Sequence, residues 1–129
     1  MKLNKLWLHL LVVLVAIFIR FVSLDSVPPS LYYDEIDLGY QIRSLLQTGK
    51  DYRNTQSLFY FRSFNTDKTP LPILISSLVS LPFKSPEYQV RAGTALVGVG
   101  VVILSMMIIF QLTQSLLASN LAGLVFAFS

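Results

Sequence analysis

Apolar positions along the chain form two long blocks, separated by a polar stretch that carries most of the charge. The first block, 6–24, is broken only by His9 and Arg20 and has about the roughly 20 residues of a membrane-spanning helix. Arg20 lies near its far end, where a long stem can carry the guanidinium to an interface. After Arg91 no charged residue follows. As one helix that remainder would be roughly 57 Å long, nearly twice a hydrocarbon core of about 30 Å. It is expected to fold back at the polar break 111–120, giving a second spanning helix at 92–112 and the start of a third at 116–129. The chain would then be the N-terminal part of a longer protein.

Between the blocks, 25–91 reads as one large outer loop holding all seven acidic residues. Within it, Leu38, Ile42, Leu45 and Leu46 recur at helical spacing over 34–48, with Asp37, Gln41 and Ser44 on the opposite side and Gly49 as the stop. That pattern predicts an amphipathic helix lying on the membrane surface or against other helices. The stretch 50–68 is turn-rich and carries Tyr52, Phe59, Tyr60, Phe61 and Phe64. A short apolar helix follows, with Thr69 as cap and Pro70 in its first turn, ending at Leu81-Pro82. Ser85-Pro86-Glu87 opens the next helix. Thr94 and Gly98, four apart, either admit a neighbouring helix or face lipid.

Composition agrees with a membrane protein. The chain is 53% hydrophobic and 13% charged, with a mean hydropathy of +0.61, whereas soluble domains are about a quarter charged. A net charge of +3 without a basic tract argues against a nucleic-acid partner. The absence of cysteine excludes a disulfide or a thiolate zinc site, and a lone His9 makes no metal motif. A basic start and apolar core also describe a cleavable signal peptide. The first block is longer than a usual signal core, however, and Val27-Pro28-Pro29 is unlike a small-x-small cleavage site. With that helix retained, Lys2 and Lys5 place the N-terminus in the cytoplasm and the loop outside.

Three carboxylates, Asp34, Glu35 and Asp37, follow the first block within four positions. On a helix Asp34 and Asp37 face the same way, while Glu35 is turned by about 100°. Asp34 can cap the helix, and the others can favour its first turn. They can equally take a proton, hold a cation or pair with a base. Lys68, beside the next helix start, is either a simple phosphate site or an exposed lysine paired with Asp67. Arg91 reads most simply as an interfacial anchor.

The segments Pro28-Pro29-Ser30-Leu31-Tyr32-Tyr33-Asp34-Glu35, Leu46-Gln47-Thr48-Gly49-Lys50-Asp51, Asp67-Lys68-Thr69-Pro70-Leu71 and Glu87-Tyr88-Gln89-Val90-Arg91, in this order after an apolar helix, carry a resemblance. From about Arg20 onward the chain resembles the N-terminal part of the membrane-embedded GT-C glycosyltransferases, more narrowly the protein O-mannosyltransferase and lipid A aminoarabinose transferase group. The resemblance implies a polytopic α-helical membrane bundle whose outer loop contains juxtamembrane helices, in a bacterial plasma membrane. It also implies transfer of a sugar from a polyprenyl-phosphate donor to a hydroxyl of a lipid, glycan or protein acceptor. Carried over residue by residue, Asp34 is the catalytic base with Glu35 in support, Lys68 lies by the donor phosphate, and Asp67 helps bind a divalent metal ion. Asp37 and Arg91 join Lys68 among the expected substrate-binding groups. Thr69 stands where the family often has proline. The rival reading is a non-catalytic polytopic protein, such as a transporter subunit or membrane anchor.

Overall fold

The structure is a computed structural model that describes residues 3–55, 59–63 and 67–129, with side chains from Trp7 onward. Lys2, the side chain of Lys5 and Phe64, on which parts of the sequence reading rest, lie outside the described residues. The element order is α1 (Leu3–Phe21), α2 (Tyr33–Thr48), β1 (Phe61–Arg62), β2 (Asp67–Lys68), α3 (Pro70–Ser80), α4 (Pro86–Thr113) and α5 (Leu116–Phe128). Among the described residues one helix, α4, is long and apolar enough to cross a membrane. Its 28 residues reach roughly 42 Å.

Several boundaries differ from the sequence reading. The first apolar helix stops at Phe21 instead of residue 24, because Ser23 takes the left-handed conformation, φ 61°, that ends helices. Its described apolar part, Trp7–Phe21, is shorter than the roughly 20 residues that a span needs. The helix opened at Pro86 and the span expected at 92–112 are one continuous element, since no breaker interrupts α4 before Thr113. The expected turn at 111–120 shrinks to two residues. Gln114 turns at φ 51°, and Ser115 caps α5 by accepting the Ala118 N–H at 3.3 Å. The stretch 50–68, read as turns, contains a short antiparallel ribbon pairing Phe61 with Lys68 and Arg62 with Asp67.

The chain divides into two compact units. In one, α1, α5 and α4 from Ala95 onward bury Val12, Ala16, Val102, Met106 and Ala127. Polar contacts join these helices as well: His9 Nδ1 lies 2.6 Å from Asn120 Oδ1, and the Ser119 hydroxyl donates to the Met106 carbonyl at 2.8 Å. Arg20 does not snorkel freely as its position suggested; its guanidinium donates to the Phe126 carbonyl at 2.9 Å and lies where a side chain on Gly98 would begin. Gly98 therefore admits a side chain of α1.

The other unit, Ser23–Thr94, contains α2, the ribbon, α3 and the first turns of α4. Here α2 packs on α3, with Ile42, Ile73, Phe61 and Val90 buried. Burial on α2 does not divide along the amphipathic pattern, since Ile42 of the apolar set is buried together with two residues of the polar set. Asp37 and Gln41, on its polar side, are 1% and 0% exposed, while Ile36, Tyr40 and Leu46 face outward. In the same way α3 buries Ser76, Ser77 and Ser80 and turns Leu71, Leu74 and Leu78 outward. The inward serines satisfy themselves locally, Ser77 donating to the Ile73 carbonyl at 2.7 Å and Ser80 to that of Ser77 at 2.8 Å. The outward leucines of α2 and α3 suit lipid or another apolar surface better than water.

Ser76 also sets how closely α3 and α4 approach. A Cβ on Gly93 would meet the Ser76 Cα at 2.8 Å, a backbone contact that no rotamer change relieves. Gly93→Ala should therefore destabilise the protein by about 1–3 kcal/mol, the usual cost of overpacking. Gly100→Ala is the control, because nothing lies within 4 Å of its Cβ. Thermal unfolding of the two variants measures the difference.

Candidate functional site

Two polar centres in the second unit involve the residues singled out in the sequence. The first is built on Arg91. Its guanidinium is 7% exposed and donates through Nε and Nη2 to the Glu35 carboxylate at 2.7 and 3.0 Å. The remaining N–H groups go to the carbonyls of Leu24, Pro28 and Ser30 at 2.7, 3.1 and 3.1 Å. All five guanidinium donors are thus taken by the protein, and none is left for a substrate phosphate. Arg91, expected as an interfacial anchor and substrate group, instead ties the connection after α1 to the start of α2.

Glu35 completes this clamp from the other side. Besides Arg91 it accepts the Tyr32 N–H at 3.0 Å, which fixes the first turn of α2. The cap of α2 is Tyr32, with Asp34 inside the first turn, so Asp34 does not serve as the N-cap that its residue type favours. The Arg91 hydrogen bonds hold the Glu35 carboxyl below its ordinary 4.5, against the effect of partial burial.

The second centre joins α2 to the ribbon. Asp34 and Asp37, one turn apart, both face Lys68, whose ammonium lies 2.6 Å from Asp37 Oδ2 and 3.4 Å from Asp34 Oδ1. The two carboxylates differ sharply in setting: the Asp37 side chain is 1% exposed and that of Asp34 is 89% exposed. Asp37 Oδ2 also accepts the Ser63 hydroxyl at 2.5 Å, and the Gln41 amide donates to the Arg62 carbonyl at 2.5 Å. Burial alone would lower the pKa of Lys68. Hydrogen bonds and charge from Asp37, then from Asp34, outweigh it and hold the ammonium above its ordinary 10.5. Lys68 is therefore a fixed, fully protonated cation at neutral pH.

Sequence reasoning had offered Asp67 as the partner of Lys68, but alternation along the ribbon separates them. Asp67 is exposed and stands across from Arg62. Among the described residues no three His, Cys, Asp or Glu side chains gather where they could hold a metal ion. Where two carboxylates do converge, at Asp34 and Asp37, the ammonium of Lys68 lies against both. No chemical step is routed through a divalent ion.

Asp51 also escaped notice in the sequence. It is 2% exposed and accepts the Thr55 and Arg62 N–H groups at 2.6 and 3.1 Å, fixing the turn that leads into β1. Its one sequence signal is its place two residues after the Gly49 stop, where an aspartate commonly organises a turn.

No family model, curated protein or solved structure matches the chain.

The clamp gives a pH-dependent outcome. A carboxyl whose folded pKa is depressed contributes stability above its unfolded value of 4.5, and loses it as pH falls through the lower folded value. Glu35→Gln should cost about 1.5–3 kcal/mol at neutral pH, the range for hydrogen bonds to a charged group. The gap between wild type and variant should close on acidification below 4.5. Thermal melts across that interval measure it.

Proposed function

We propose that the chain belongs to a polytopic membrane glycosyltransferase of GT-C type that moves a sugar from a polyprenyl-phosphate donor to an acceptor hydroxyl at the outer membrane face. The observation that carries this reading is the asymmetric pair around Lys68, one carboxylate buried as its anchor and the other exposed beside it. Asp34 is the general base. It takes the acceptor proton as the acceptor oxygen bonds to the anomeric carbon, and the bond from that carbon to the phosphate oxygen breaks with inversion. Lys68 stabilises the departing phosphate, and Asp37 holds Lys68 in place. The 3.4 Å contact of Asp34 is long for a charge-assisted hydrogen bond, so the exposed carboxylate can exchange the lysine for an acceptor at little cost. Glu35 and Arg91 support this site by fixing the helix that carries it.

The spanning length of α4 and the outward leucines of α1 and α3 support membrane embedding. In this reading α1 and α5 also lie within the bilayer.

A second reading rests on the satisfaction of every Arg91 donor within the protein. The Lys68 bridge would then be another internal staple in a non-catalytic transporter subunit or anchor. One substitution separates the two. In the intact protein, Asp34→Asn should lower sugar transfer by roughly 10²- to 10⁴-fold while leaving membrane insertion and thermal stability nearly unchanged. Transfer at the wild-type rate would leave only the staple. Asp37→Asn should lower both activity and stability, because it releases Lys68 and Ser63 together.

A further inference from the structure

The face of α2 turned away from Asp37 lines an open cavity of about 480 Å³, a volume within the range of small-molecule sites. Its wall combines two cations, Arg43 and Lys84, with the amides Gln47 and Gln89 and the apolar side chains of Ile36 and Leu46. No acidic residue lines it. Among the described residues neither Arg43 nor Lys84 makes an ion pair or hydrogen bond, which sets them apart from Lys68 and Arg91. Two exposed cations on one wall that has no acidic residue favour an anion there.

Position narrows the occupant. Pro86, Gln89 and Val90 of the wall belong to the first turns of α4, immediately ahead of the uncharged run that starts at Ala92. The cavity is thus level with the polar end of α4, which is long and apolar enough to span a bilayer, and headgroups lie at such an end. Ile36 and Leu46 are 42% and 47% exposed, offering an apolar flank beside the charge. Cationic side chains next to an apolar wall at this depth match a phosphate headgroup with its chain attached.

We propose that this face of α2 binds a phosphate-headed lipid, with Arg43 and Lys84 on the phosphate and Ile36 and Leu46 along the first part of the chain. The site is separate from the Lys68 centre, which occupies the opposite side of the same helix. It therefore neither requires nor repeats the transfer reaction.

The test uses the intact protein in neutral detergent, titrated with dioleoyl phosphatidic acid while thermal unfolding is followed. Wild type should show a saturable rise in unfolding temperature. Arg43→Gln and Lys84→Gln should each raise the half-saturating lipid concentration about tenfold, as expected for losing one charged contact. Leu46→Gln should weaken binding of the lipid as well. An equal rise with inorganic phosphate would assign the site to a free anion, and an equal rise with dioleoyl phosphatidylcholine would make it general lipid adhesion; either overturns the proposal. Unchanged half-saturation in both cation variants overturns it too. Should a variant unfold early, native mass spectrometry of its folded fraction decides, with undiminished phosphatidic acid counting against the site. Asp34→Asn should bind the lipid like wild type, so failure of the transferase reading and failure of this one are distinguishable.

Discussion

A buried guanidinium must be paired on nearly all its donors or it costs several kcal/mol, and that requirement organises the unit Ser23–Thr94. Arg91 meets it with one carboxylate and three carbonyls. The carbonyls come from the irregular connection between α1 and α2, which has no regular ladder to satisfy them. The need is mutual, so the turn and the arginine stabilise each other. Glu35 completes the arrangement because it lies in the first turn of α2, where the Tyr32 N–H also needs an acceptor. Once Glu35 is fixed, helical geometry determines where Asp34 and Asp37 point.

Element types were largely legible in the sequence. Gly49 stands at φ 70° with its N–H on the Leu45 carbonyl at 2.9 Å, as a glycine after a helical pattern should. Pro70 and Pro86 open their helices, where a missing N–H costs nothing. Which residues α2 buries was not legible. Periodicity reports that α2 has two faces, yet Ile42 of one and Asp37 and Gln41 of the other are all buried. In this unit Asp37 and Gln41 are inside because a ribbon and a lysine supply their partners, all of them distant in sequence.

The candidate site divides along the same line. That Asp34 and Asp37 share a side of a helix follows from their spacing of three. That Lys68 meets them does not, because it depends on a ribbon of two residues per strand, too short to leave an alternating pattern. Adjacency in the chain favoured Asp67 as the partner of Lys68. Strand geometry rejects that pairing, since neighbours along a strand point to opposite faces. For Arg91, a position ahead of the uncharged run suggested an interfacial role, and only the fold reveals five acceptors around it.

The unequal exposure of Asp34 and Asp37 is what the proposed transfer would need of a salt-bridged lysine. With two exposed partners, Lys68 would sample many positions, and each pair would contribute little. With two buried partners its charge would be neutralised and unreachable. Here the 2.6 Å contact to Asp37 fixes the ammonium, while the longer contact to Asp34 leaves a partner that can be displaced. Ser63 strengthens the anchor by donating to the same Asp37 oxygen. In the proposed transfer the cation would stay in position if Asp34 turned to an acceptor, and a charge held still before a reacting group arrives is the condition for electrostatic stabilisation of a leaving phosphate.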